Sequence, residues 1–224
     1  ALDQLLVYGV VPYSLSLLLF NKKEEAKKLA KKALIYGDEF FLGDWLKKEV
    51  DDNAEMLFNL SDKADYEIFY GRHAIQFPYE YISTFACSLG EWDYLAKVSS
   101  YVDHGVRTSA ETDAEESCFL LTVFILRGED INNHTELVED IRSGRGKKYK
   151  LQLDVIEAIV EQNIDKVNKA LKQLIQHFKK SVFCKGGEDT FLCMYGTALY
   201  YFAKHKGLDV SLDESLMNFI IQFD

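Results

Sequence analysis

The sequence predicts an all-α protein on three observations. Apolar residues recur at helical spacing, sustained polar/apolar alternation is absent, and turn residues punctuate the chain about every 30 to 45 residues. The expected architecture is an irregular α-α array of antiparallel helical hairpins, similar in style to tetratricopeptide arrays but lacking a strict repeat. About ten or eleven helices of three to four turns are expected, and residues 1–224 are read as a single all-α domain.

Composition agrees with that reading. Apolar residues make up 48% and charged residues 28%, ordinary values for a folded soluble domain, and two prolines leave little room for a disordered linker. The first apolar stretch, "LLVYGVVPYSLSLLLF", is broken by Pro12, Ser14 and Ser16 and falls short of the roughly 20 residues that span a bilayer. No signal peptide and no membrane span are expected. Cys87, Cys118, Cys184 and Cys193 are far apart and sit in apolar surroundings, so they read as core thiols of a reduced, cytoplasmic protein rather than as disulfide partners.

Taken in order, Asn21 precedes a lysine-rich amphipathic helix, "KKEEAKKLAKKAL", and "NLSDKAD" marks a further break. Pro78 is expected to open the helix "YEYISTFACSL", since proline is tolerated in a first turn. Turns are expected at Gly90, Gly128 and Gly207. The stretch 151–180 holds two apolar stripes. Leu151, Val155, Ile156, Ile159 and Val160 form one, and Ile164, Val167, Ala170, Leu171, Leu174, Ile175 and Phe178 form the other. Gln162 and Asn163 separate them, with Asn163 placed to cap the second helix, so a helical hairpin is expected.

The residues that carry chemistry are few. His73, His104, His134, His177 and His205 are scattered, with neither an HExxH pair nor a His/Cys set at zinc spacing, so no metal site and no cofactor are expected. No nucleophile elbow or cysteine-protease signature occurs, and the abundant carboxylates read as solvated helix faces. The chain is therefore read as a non-enzyme. "IRSGRGKKYK" gathers Arg142, Arg145, Lys147, Lys148 and Lys150 around two glycines without forming a Walker motif. With a net charge of −10 opposing a polyanion, it reads as a basic loop entering the next helix, with a local docking patch as the alternative. The aromatic stripes read mainly as core.

Charge is strongly segmental. Residues 103–141 hold ten acids against Arg107 and Arg127, whereas residues 142–185 hold eleven bases against four acids. Because successive hairpins stack, an acidic zone should lie beside a basic one. A concentrated negative field raises the on-rate of a basic protein partner and excludes wrong ones; the alternative reading of the same zone is plain solvation.

The C-terminal region, "LDVIEAIVEQNIDKVNKALKQLIQHFKK" followed by "EDTFLCMYGTALYYFAKHKGLDVSLDESLMNFI", resembles the immunity protein 49 family of bacterial polymorphic toxin systems. The layout that carries the resemblance is a short amphipathic helix, an Asn/Asp turn at Asn163 and Asp165, and a helix ending in His177. A Gly/Asp-containing loop and a long Ala- and Tyr-containing helix closing at Lys206-Gly207 complete it. The resemblance implies an all-α cytoplasmic immunity protein that blocks a cognate toxin, with no catalytic group required. The expected mechanism is stoichiometric occlusion. Glu111, Asp113, Glu115, Glu116, Glu129, Asp130, Glu136, Glu139 and Asp140 would steer and pair with Lys and Arg of the toxin, a basic nuclease domain being one class that suits them. Neither nucleic acid nor membrane is expected as a partner. The competing expectation is a helical-repeat scaffold or adaptor with no toxin partner.

Overall fold

The computed structural model describes residues 9–42, 76–102, 112–185 and 191–223, with side chains for all of these except 42 and 182–185. The expected "NLSDKAD" break, His73, His104, Glu111 and the Cys184 side chain lie outside the described residues. Within them are ten α-helices and one 3-10 turn. The helices are α1 (Val11–Leu19), α2 (Lys23–Leu42), α3 (Gln76–Leu89), α4 (Trp92–Ser99), α5 (Asp113–Leu126), α6 (Thr135–Ser143), α7 (Lys147–Val160), α8 (Ile164–Lys185), α9 (Met194–His205) and α10 (Glu214–Met217); the 3-10 turn Ile131–His134 precedes α6.

Each predicted hairpin turn has an identifiable backbone cause. Asn163 accepts the Lys166 amide through its side-chain oxygen at 3.1 Å, capping α8, while Gln162 takes a left-handed φ of 54° that ends α7. Gly128 and Gly207 do the same after α5 and α9, with φ of 96° and 83°. Asn21 precedes the lysine-rich helix α2, as expected. At φ 58° it terminates α1, and the Asn21 and Lys22 amides bond back to the carbonyls of Leu18 and Leu17, closing a helix end rather than capping α2. Helix α3 begins at Gln76, so Pro78 falls within its first turn instead of opening it.

Consecutive helices pack as pairs, α1 on α2, α5 on α6 and α7 on α8, but the array does not run on as a simple stack. Helix α9 returns across the chain to pack on α3, and α7 touches α5, α6, α8 and α9. The sequences of α3 and α5 explain their central place: most of their residues are buried, and beyond its acidic first turn α5 is apolar almost all round. Phe85 of α3 and Phe124 of α5 are fully buried.

The C-terminal segment fastens this closure. The Ile221 amide donates to Thr197 Oγ1 at 3.1 Å, the Tyr201 hydroxyl donates to the Ile221 carbonyl at 3.0 Å, and the Cys193 amide donates to the Phe219 carbonyl at 2.7 Å. Phe223 inserts edge-on against Phe85 with ring centroids 5.7 Å apart. Cys87, Cys118 and Cys193 are buried, and Cys87 and Cys118 are free thiols. Burial pushes the Cys87 thiol up and the Cys118 thiol up to about 12, the behaviour of core residues. Among the described residues no helix is long and apolar enough to cross a membrane.

Candidate functional site

The acidic residues singled out in the sequence are divided by the fold among three places. Asp113 and Glu116 stand on the first turns of α5, and Glu136, Glu139 and Asp140 stand on the outer face of α6. The two helices are locked together where these acids meet. The Ser117 hydroxyl donates to Asp140 Oδ2 at 3.1 Å, and Gly144 lies so close to α5 that a Cβ there would come within 2.5 Å of the Ala114 Cβ. Asp113 is one turn before Ser117 on α5 and Glu136 one turn before Asp140 on α6; because the helices run antiparallel, the two carboxylates stand on either side of the Ser117–Asp140 joint. Asp113, Glu116, Glu136 and Glu139 make no ion pair with a described residue.

Local structure accounts for some of this acidity. Thr112 caps α5, its hydroxyl accepting the Glu115 amide at 3.2 Å, and Asp113, Glu115 and Glu116 occupy the first turn, where the helix dipole favours negative charge. Thr112-x-x-Glu115 is a legible helix-start signature that the sequence reading did not use. Glu136 stands likewise in the first turn of α6, and no such local role is shown for Glu139.

Glu129 and Asp130 have separate structural duties. Glu129 pairs with Arg127 and accepts from His134 Nε2 at 2.7 Å. Partial burial raises its carboxyl, but the bonds from Arg127 and His134 outweigh that and hold it below the usual carboxylate range. The His134 ring is itself buried and stacked on Phe124 with centroids 4.5 Å apart. Asp130 caps the 3-10 turn by accepting the Asn132 amide at 2.9 Å. Both residues line a cleft of about 320 Å³ shared with Gln162, Phe202 and Lys206.

The expected basic neighbour is present but partly neutralised. Arg142 belongs to α6 and bridges to Asp154, at 2.7 Å, and Glu157 of α7. The loop drawn over 142–150 thus shrinks to Gly144–Gly146, because Arg142 continues α6 and Lys147 begins α7. Lys166 pairs with Glu161 at 2.6 Å, and Lys172 with Asp213 at 2.8 Å.

Glu115 turns away from the other acids. It lines a pocket between α3, α5, α7 and α9, together with Glu80, Lys148, Tyr149, Gln152 and Tyr195. The Tyr149 hydroxyl is raised by burial and by its hydrogen bond to the Glu115 carboxylate. None of these residues except Glu115 and Lys148 stood out in the sequence, because four separate helices contribute them. Among the described residues no group of three or more His, Cys, Asp or Glu is gathered closely enough to hold a metal ion.

The chain matches no family model, no curated protein and no solved structure. Interpretation of both regions therefore starts from their chemistry: an outward acidic surface on two interlocked helices, and a small mixed-charge pocket beneath it.

Proposed function

We propose that the protein is a bacterial immunity protein that neutralises a cognate toxin by stoichiometric binding, with the α5–α6 surface as its docking face. The observation that carries this reading is the set of four carboxylates, Asp113, Glu116, Glu136 and Glu139, held on two interlocked helices without an ion pair to a described residue. Asp113, Glu116 and Glu136 also suit the first helical turns on which they stand, but unlike Glu129 none of the four is engaged in an ion pair with a described residue. These four keep their charge available to solvent. A surface of like charges such as this steers Lys- and Arg-rich partners toward itself.

The toxin class that fits is a basic domain whose own function needs a cationic surface, a nuclease among them. Occlusion would follow from covering that surface, while a smaller apolar contact would supply most of the affinity. The resemblance of the C-terminal region to the immunity protein 49 family supports the same reading.

The test is co-expression. A candidate toxin domain, sought among the products of the genes adjoining this one, is expressed with and without the protein, survival is scored, and the pair is co-purified. Rescue with a one-to-one complex is the expected result. A demonstrably active toxin domain that kills equally in both cases and does not co-purify would overturn the proposal and favour a scaffold without a toxin partner.

A further inference from the structure

A cleft of about 320 Å³ opens where the C-terminal ends of α5, α7 and α9 meet the 3-10 turn. Its floor holds Ile125, Ile159 and Phe202, all buried. Its rim is polar, with Asp130 capping the 3-10 turn, Gln162 in the α7–α8 turn and Lys206 capping α9. Set against a cavity of about 150 Å³ that takes benzene, the space has room for a ligand of about a dozen heavy atoms.

The charges on this rim differ in how far they are engaged. Glu129 is held by Arg127 and His134. Asp130 accepts the backbone amide of Asn132 at 2.9 Å and its side-chain amide at 2.8 Å, both on Oδ1, which leaves Oδ2 open to a further donor. Lys206 Nζ lies 5.2 Å from the centre of the Phe202 ring, over the cleft floor. Asp130 and Lys206 form no ion pair with each other or with any described residue. A carboxylate and an ammonium that border one apolar floor without neutralising each other match a ligand that carries both charges. A singly charged ligand would pair with one of them and set a like charge against the other. The negative dipole end of α5 precedes Asp130 and favours the ligand's cation there.

We infer that this cleft binds a free apolar α-amino acid, about the size of leucine or phenylalanine, as the zwitterion. Its ammonium donates to Asp130 Oδ2, its carboxylate accepts from Lys206 Nζ, and its side chain lies on Ile125, Ile159 and Phe202. This binding does not depend on a toxin partner. The cleft is at the C-terminal end of α5, whereas Asp113 and Glu116 stand on its first turn.

The experiment follows the backbone amides of Gly128 and Gln162, which border the cleft, by 15N NMR in the full chain. Titrants are L-leucine and L-phenylalanine, with isoamylamine and 4-methylpentanoate as controls that each lack one charged group of leucine. Saturable shifts at both amides are expected with the amino acids, about tenfold or more tighter than with either control, because each control loses a charge-assisted hydrogen bond. In Lys206→Met the affinity for leucine should fall to that for isoamylamine. In Asp130→Asn, whose side-chain oxygen can still cap the 3-10 turn, it should fall to that for 4-methylpentanoate. Both positions are exposed, and retained helicity is checked by circular dichroism; the four-ligand comparison on the wild type decides the matter even where a variant misfolds. Absence of saturation, a control that binds as tightly as leucine, or folded variants that bind leucine like the wild type would overturn the inference and leave Asp130 and Lys206 as solvated rim charges.

Discussion

Ser117 and Asp140 join the two acidic helices: the Ser117 hydroxyl on α5 donates to Asp140 Oδ2 on α6 across 3.1 Å. One carboxylate of the acidic surface is thereby used to fix the spacing of the others. The bond lies where Gly144 packs on Ala114, so hydrogen bonding and close packing set the geometry at the same end of the pair.

Replacing Gly144 by Ala should open that joint. A Cβ at this position would come within 2.5 Å of the Ala114 Cβ and 2.6 Å of the Asp140 carbonyl oxygen, neither of which is the end of a flexible chain. Overpacking of this kind costs about 1 to 3 kcal/mol. Chemical denaturation should show a lower midpoint with an unchanged slope, whereas Ser143→Ala, at an exposed neighbouring position, should change little.

Acid should weaken the Arg127–Glu129–His134 cluster. The folded-state pKa of Glu129 is depressed, so its contribution is fully present above the unfolded value of about 4.3 and is lost as pH falls through the lower folded value. Melting temperature measured between pH 6 and pH 2.5 should fall less steeply at the acid end in Glu129→Gln than in the wild type. Parallel curves would mean that the cluster does not hold the carboxylate charged.

Phe223→Ala should be among the most damaging single changes. The ring is 2% exposed and packs edge-on against Phe85, so its removal leaves a cavity at the closure between the C-terminal segment and α3. Truncations of this type cost about 3 to 5 kcal/mol, read as a loss of unfolding free energy in urea. A loss under about 1 kcal/mol would show that the segment detaches without disturbing the core.

Much of the fold was legible because its signals are local. The 3.6-residue stripes of α7 and α8, the Asn163 cap and the turn glycines depend only on neighbours in sequence, and each has its expected role. The return of α9 to α3 was not legible, since periodicity says which face is buried but not what buries it. The same limit divided the acids. Glu115 and Glu116 are adjacent in sequence, yet 100° of helical rotation sends the former into the pocket while the latter stays on the surface. Gln152 was invisible for a related reason: a single polar residue beside an apolar stripe reads as its edge until the helices that cover it are placed.

The association rate of the purified protein with the toxin domain, measured against ionic strength, tests the central claim most directly. Wild type is compared with the combined Asp113→Lys, Glu116→Lys, Glu136→Lys and Glu139→Lys variant. The expected result is fast, salt-sensitive association in the wild type, and association at least tenfold slower with little or inverted salt dependence in the variant, whose helicity is retained. Equal rates and equal salt slopes for the two proteins would contradict it and place the docking surface elsewhere on the molecule.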